Sequence, residues 1–230
     1  DNMCASADDS TLPYGFGFDR NLEKQVAYRW FANSGTVAVS TVIGTQDNPA
    51  LLTSANQQFR LRLLIYTPDS LTSTSFRDYK LQYVDPGTGT CAAPTGGTPS
   101  TWTDVPTSGG STISFYNNTT PADGDNLTTN GSLDPTYQGL TVRAQDYEEA
   151  NNFTNSVSTI AGDELGLWDF SLVDNTTYDR IAQTYCFRVA RSNDVVLQIG
   201  IYPQISTAAV DDVLIQGGTQ IDGSTSINNP

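Results

Sequence analysis

The sequence contains no histidine, and that absence removes most familiar enzyme designs. Ser-His-Asp and Cys-His nucleophilic arrangements need an imidazole, and zinc sites lose their commonest ligand. A glycosidase built from two carboxylates alone survives this test. Its obvious pair, Glu148 and Glu149, are chain neighbours. They point apart in a strand and sit about 100° apart in a helix, so they are expected in an exposed acidic turn rather than at a reaction centre.

Glu is scarce beside Asp, and lysine occurs only as Lys24 and Lys80, both expected in solvent. Without these helix formers, and with Thr, Ser, Asn and Gly filling much of the chain, β-structure with polar loops is favoured. No window approaches the ~20 apolar residues of a membrane-spanning helix. The opening DNMCASADDS has no charged and then apolar segment, so any signal peptide is expected to be gone already. Neither GFGFDR (15–20) nor GTGTC (87–91) has the spacing of a phosphate-binding loop, and no repeat of fixed period is present.

Positive charge is also short. Eleven Lys and Arg face 25 Asp and Glu, for a formal net charge of -14. Such a field repels phosphate backbones, so nucleic acid is a poor partner, whereas Ca²⁺, a basic partner or plain solubility suits it. The three cysteines, Cys4, Cys91 and Cys186, have no C-x-x-C spacing. One disulfide with one cysteine left over is the simplest reading, and it suits an oxidising, extracellular setting.

What is present is alternation. QVAYRWF (25–31), TVAVSTVI (36–43), QFRLRLLIY (58–66), DYKLQYV (78–84), ISFYN (113–117), LGLWDFSLV (165–173), TYCFRVA (184–190) and VVLQIGIYP (195–203) read as strands, with ISTAAVDDVLIQ (205–216) as one more. Strands joined by turns, seven to ten in all, suggest a β-sandwich. The expected division is an extended N-terminal arm at 1–22, a sandwich at 23–204 and a C-terminal strand with polar tail at 205–230. A loop-rich insertion at about 106–163 adds no second core, and its one expected regular feature is a helical turn near QDYEEANNF (145–153). Trp30 and Trp168 are expected in the core, while Trp102, in a turn-rich segment, is a candidate sugar contact.

DGDNLTTNGSLD (123–134) places Asp123, Asp125 and Asp134 at positions 1, 3 and 12 of a calcium loop. Leu127 and Thr128 then break the pattern, which leaves an irregular Ca²⁺ site as the candidate, structural rather than catalytic. Six N-x-S/T sequons begin at Asn117, Asn118, Asn126, Asn130, Asn152 and Asn175, and are candidate glycosylation sites.

AYRWF, FRLRLLIY, YKLQY, GTC, PADG, YEEANNFTNS, WDF, TYCFRV and YPQIST, in that order over roughly residues 25–208, resemble a domain of secreted surface proteins in candidate phyla radiation bacteria. YKLQYV with WTDV, TYCFRV and VVLQIGIYP also resemble the third strand and its successor, the sixth and the seventh of fibronectin type III or immunoglobulin-like sandwiches. The resemblance implies a secreted cell-surface β-domain and supplies no catalytic residues. It also implies that TYCFRV neighbours YKLQYV in one sheet. Cys186, on the face away from Tyr185 and Phe187, then meets Cys91, leaving Cys4 free or intersubunit.

The expected function is a non-enzymatic extracellular structural protein, a subunit of a surface filament or layer joined by strand addition from a terminal arm. LPYGFGF (12–18) and TAAVDDVLIQ (207–216) are the candidate donors. The alternative is a carbohydrate-binding surface adhesin with a candidate dependence on Ca²⁺, its face formed by Trp102 and the 123–134 loop.

Overall fold

The computed structural model describes residues 22–209, apart from 76, 108, 110 and 177–181. Cys4, the LPYGFGF arm and the chain beyond Ala209 lie outside the described residues. Among the described residues every regular element is a strand. They are β1 (Lys24–Ala32), β2 (Ala50–Leu52), β3 (Gln58–Thr67), β4 (Tyr79–Val84), β5 (Thr103–Asp104), β6 (Ile113–Phe115), β7 (Val142–Glu148), β8 (Glu164–Asp174), β9 (Gln183–Arg191), β10 (Gln198–Ile199) and β11 (Gln204–Thr207).

The strands form two sheets. The first runs β10-β1-β3-β8-β6, with β7 also paired to β8, and the second runs β2-β11-β9-β4-β5. Alternation puts one face of each strand inward. Trp30, Leu61, Leu63, Trp168 and Phe170 of the first sheet share a core with Tyr79, Leu81, Tyr185, Phe187 and Val189 of the second. Aromatic rings carry much of that contact. Trp30 meets Phe187 edge-on at 5.5 Å between centroids, and Tyr79 and Phe153 meet Trp168 at 5.6 and 5.7 Å, each pair adding about 0.5–1.5 kcal/mol beyond its buried area.

The outer face of the first sheet is not solvated. Val26, Ala27, Leu64, Tyr66, Leu165 and Leu167 pack with Leu127 and Tyr147 in a second apolar cluster. The insertion therefore closes a second small core, contrary to the sequence expectation. The expected helical turn is β7, which runs parallel to β8 and pairs Tyr147 with Asp169.

Two other segments differ from expectation. Residues 36–43 form no strand beyond a bridge from Val42 to Phe31. Their carbonyls face buried arginines instead: Arg60 Nη1 donates to Thr36 O at 2.5 Å and Arg62 Nη2 to Val37 O at 2.8 Å. Residues 195–203 hold only β10, parallel to β1. There Gly200 N donates to Gln25 O at 2.8 Å, and a Cβ on Gly200 would lie 2.8 Å from Lys24 Cε. The strand that completes the sheet beside β9 is β11, pairing Ile205 with Tyr185.

The described ends leave at opposite poles of the sandwich. Glu23 accepts Arg191 Nη2 at 3.1 Å, at the end of β9, whereas Thr207 pairs with Gln183, at its beginning. The strand length between them is about 27 Å at the usual rise per residue.

Candidate functional site

Of the residues singled out from the sequence, the outer face of the second sheet gathers Cys91, Cys186 and Trp102. Along β9 the parity that turns Tyr185, Phe187 and Val189 inward turns Thr184, Cys186 and Arg188 outward. Antiparallel pairing places Val84 beside Cys186 and Gln82 beside Arg188. Cys186 is bonded to Cys91, with 5.6 Å between Cα atoms and a sequence separation of 95, as expected. Cys91 rides on a loop fastened at its base. Asp85 accepts Gly87 N at 2.8 Å and Thr98 N at 3.0 Å, and a Cβ on Gly97 would lie 2.1 Å from Asp85 O, so only glycine fits.

Above the disulfide, Trp102 and Tyr202 stack at 5.6 Å with 21° between their planes. They pack on Val84, Cys91 and Cys186 and stay half-buried. The Arg188 guanidinium lies 4.4 Å from the centroid of the Trp102 ring, a cation–π contact. Its Nε donates to Gln82 Oε1 at 2.9 Å, and Gln82 Nε2 donates to Asp104 Oδ1 at 2.8 Å. Partial burial pulls the Arg188 pKa below its ordinary value, opposed by Tyr202 and Asp194. An arginine so placed remains charged.

The acidic candidates are separated rather than gathered. Asp134 accepts Arg62 Nη1 and, at 2.5 Å, Asn130 N. Asp125 accepts Ala122 N at 2.8 Å, and Asp123 accepts Glu149 N at 2.6 Å. Among the described residues no three His, Cys, Asp or Glu side chains converge as a metal-ligand set.

Glu148 and Glu149 are buried, not exposed, because β7 is covered by β8 on one side and by residues 124–127 on the other. They point apart, as strand parity requires. Glu149 Oε1 accepts Tyr147 OH at 2.7 Å and Asn118 N at 2.7 Å. Glu148 sits with Asp146, 5% exposed, whose Oδ1 has no hydrogen-bond partner among the described residues. Burial first, then the nearby Asp146 and Asp123 carboxylates, hold the Glu148 pKa well above the carboxylate range. Asp146 is raised as well, chiefly by burial.

Asn117, Asn126 and Asn152 are exposed. The amide nitrogens of three other sequon residues are occupied: Asn118 donates to Ser171 Oγ at 3.1 Å, Asn130 to Val39 O at 3.4 Å and Asn175 to Ser114 Oγ at 2.8 Å. Both lysines are drawn in. Lys24 is 8% exposed, and Lys80 holds Asp104 and Asp194 at 2.9 and 2.7 Å.

The group that sequence reasoning missed is ionic. Arg60 and Arg62, which alternate with Phe59, Leu61 and Leu63, are both fully buried against Asp169, through Arg60 Nη2 at 2.6 Å and Arg62 Nε at 2.7 Å. Arg60 also lies 4.8 Å from the Tyr147 ring centroid. The available signal was WDF, an Asp between two core aromatics on the strand that pairs with FRLRL.

No family model matches the chain, and no curated protein shows significant similarity to it.

Proposed function

We propose that the chain is a non-enzymatic, extracellular structural module of a cell-surface filament or layer, joined to its neighbours through its ends. The carrying observation is the exit of the two described ends at opposite poles, the arrangement a head-to-tail array needs. The Cys91–Cys186 bridge suits an oxidising compartment. An immunoglobulin-like topology is supported by the order β1-β3-β8-β6 in one sheet and β11-β9-β4-β5 in the other.

Thr207 already pairs within the second sheet, so a C-terminal donor strand has to come from residues beyond Ala208. The test deletes 1–21 and, separately, 210–230, and follows assembly by light scattering and electron microscopy. At least one deletion is expected to abolish filaments or layers. Assembly by both truncated chains equal to that of the full chain would sink the proposal. A Cys4→Ser chain run on a non-reducing gel tests whether Cys4 joins subunits.

A second reading, a carbohydrate-binding surface adhesin, is favoured by the Trp102–Tyr202 stack, an aromatic pair left half-exposed on a sheet face.

A further inference from the structure

Most cations of this acidic chain are neutralised within it. Arg60 and Arg62 share Asp169, Arg77 and Arg191 share Glu23, Arg143 holds Glu164, and Lys80 takes both Asp104 and Asp194. Among the described residues Arg29 and Arg188 form no such ion pair, and Arg29 is spent on the Leu133 carbonyl; Arg188 contacts Gln82 and Trp102, while Asp194, already held by Lys80, acts on it only at a distance. Those contacts fix the guanidinium without spending its charge. Nε is tied to Gln82, one face lies over Trp102, and the two Nη groups have no hydrogen-bond acceptor among the described residues.

We propose that this fork binds the carboxylate of an acidic sugar, whose ring rests on the Trp102–Tyr202 surface. The inference rests on the carbohydrate-binding reading and gives that reading its ligand class. A planar guanidinium already held in place loses little freedom on forming two parallel N–H···O bonds, which is why Arg suits carboxylates better than a flexible ammonium does. Tyr202 and Trp102, stacked on one another and half-exposed, offer an aromatic edge beside the fork against which the C–H face of a pyranose can pack. Thr184 and Ser206, whose hydroxyls lie 2.9 Å apart on the same sheet face, add polar contacts for sugar hydroxyls. A peptide carried in as an added strand is excluded at β9, because both of its edges are already paired. The acidic surface does not forbid an anion, since at physiological ionic strength charges beyond about 8 Å are largely screened while a direct contact is not.

The experiment titrates the full chain with sialyllactose and tetragalacturonate, and with the neutral lactose and maltotetraose, reading tryptophan fluorescence and heat. Each acidic saccharide is expected to bind at least about tenfold more tightly than its neutral counterpart, the worth of one charge-assisted contact. Arg188→Gln should erase that preference, Arg188→Lys should retain only part of it, and Trp102→Ala should weaken all saccharides together. An intact Cys91–Cys186 bridge by mass and an unchanged melting temperature certify each variant as folded. Equal binding of acidic and neutral sugars, or a preference that survives Arg188→Gln, overturns the acidic-sugar inference while leaving carbohydrate binding standing. Failure of every saccharide to bind overturns both.

Discussion

Asp169 is the residue on which the outer face of the first sheet turns. Its carboxylate holds two fully buried arginines, and those arginines reach on to Thr36 O, Val37 O and Asp134, so a single side chain pins both covering loops. Removing the partner of a buried charge costs far more than the pair contributes. Asp169→Ala is therefore expected to lose about 3–5 kcal/mol, read as a shift of the urea midpoint.

Glu148 is the opposite case, a buried acid set among acids. Its folded pKa lies above its unfolded value of 4.5, so the folded state holds the proton more tightly. The associated stability is fully present below that unfolded value and is lost as pH rises through the raised range. Glu148→Gln should match the parent at pH 4 and exceed it at pH 8, by about 1–3 kcal/mol, the penalty for a poorly compensated buried polar group. Melting curves at the two pH values check this, and an equal difference at both would refute it.

At the scale of elements, the loop after β4 is a covalent as well as a hydrogen-bonded structure. The Cys91–Cys186 bridge closes 95 residues of chain, for which the loop-entropy model gives about 4–5 kcal/mol. Reduction, or Cys91→Ser with Cys186→Ser, should lower the denaturation midpoint by up to that amount. It should also loosen the Trp102–Tyr202 stack that packs against Val84 and the bridged cysteines, seen as altered near-ultraviolet dichroism. Gly97→Ala probes the base of the same loop, because its methyl group would meet the Asp85 carbonyl. An overpacking loss of about 1–3 kcal/mol is expected in the same denaturation assay.

At the scale of the whole molecule, the net charge of -14 and the two-ended geometry act together. Like-charged modules repel one another at low ionic strength, and the repulsion falls as the screening length shortens. If the chain polymerises through its ends, assembly should be faster at 0.15 M salt than at about 0.01 M, where the screening length is about 30 Å. Light scattering at the two ionic strengths measures this, and faster assembly in low salt would point to a basic surface as the joint instead.

The sequence by itself determined the class of the fold and the parity of its long strands. Alternation in QVAYRWF, FRLRLLIY, YKLQYV, LWDFSLV and TYCFRV is a local property, set by which side of a pleated backbone each Cβ leaves. Those strands stand where they were expected, with Trp30 and Trp168 in the core. The outward turn of Cys186 was legible for the same reason, and with the sheet neighbour implied by resemblance it led to Cys91. Only the tertiary structure decided what covers an outward face. The alternation that turned Arg60 and Arg62 away from the sandwich cannot tell solvent from a second layer, because the layer comes from residues 33–47 and 116–163, distant in the chain. The same limit hid β7, whose partner β8 is reached by a parallel crossover, and the burial of Glu148. It hid the surroundings of Arg188 as well, where Gln82, Trp102 and Tyr202 arrive from three separate segments. Periodicity reports the direction of a side chain, whereas burial and charge pairing depend on what the rest of the chain brings to meet it.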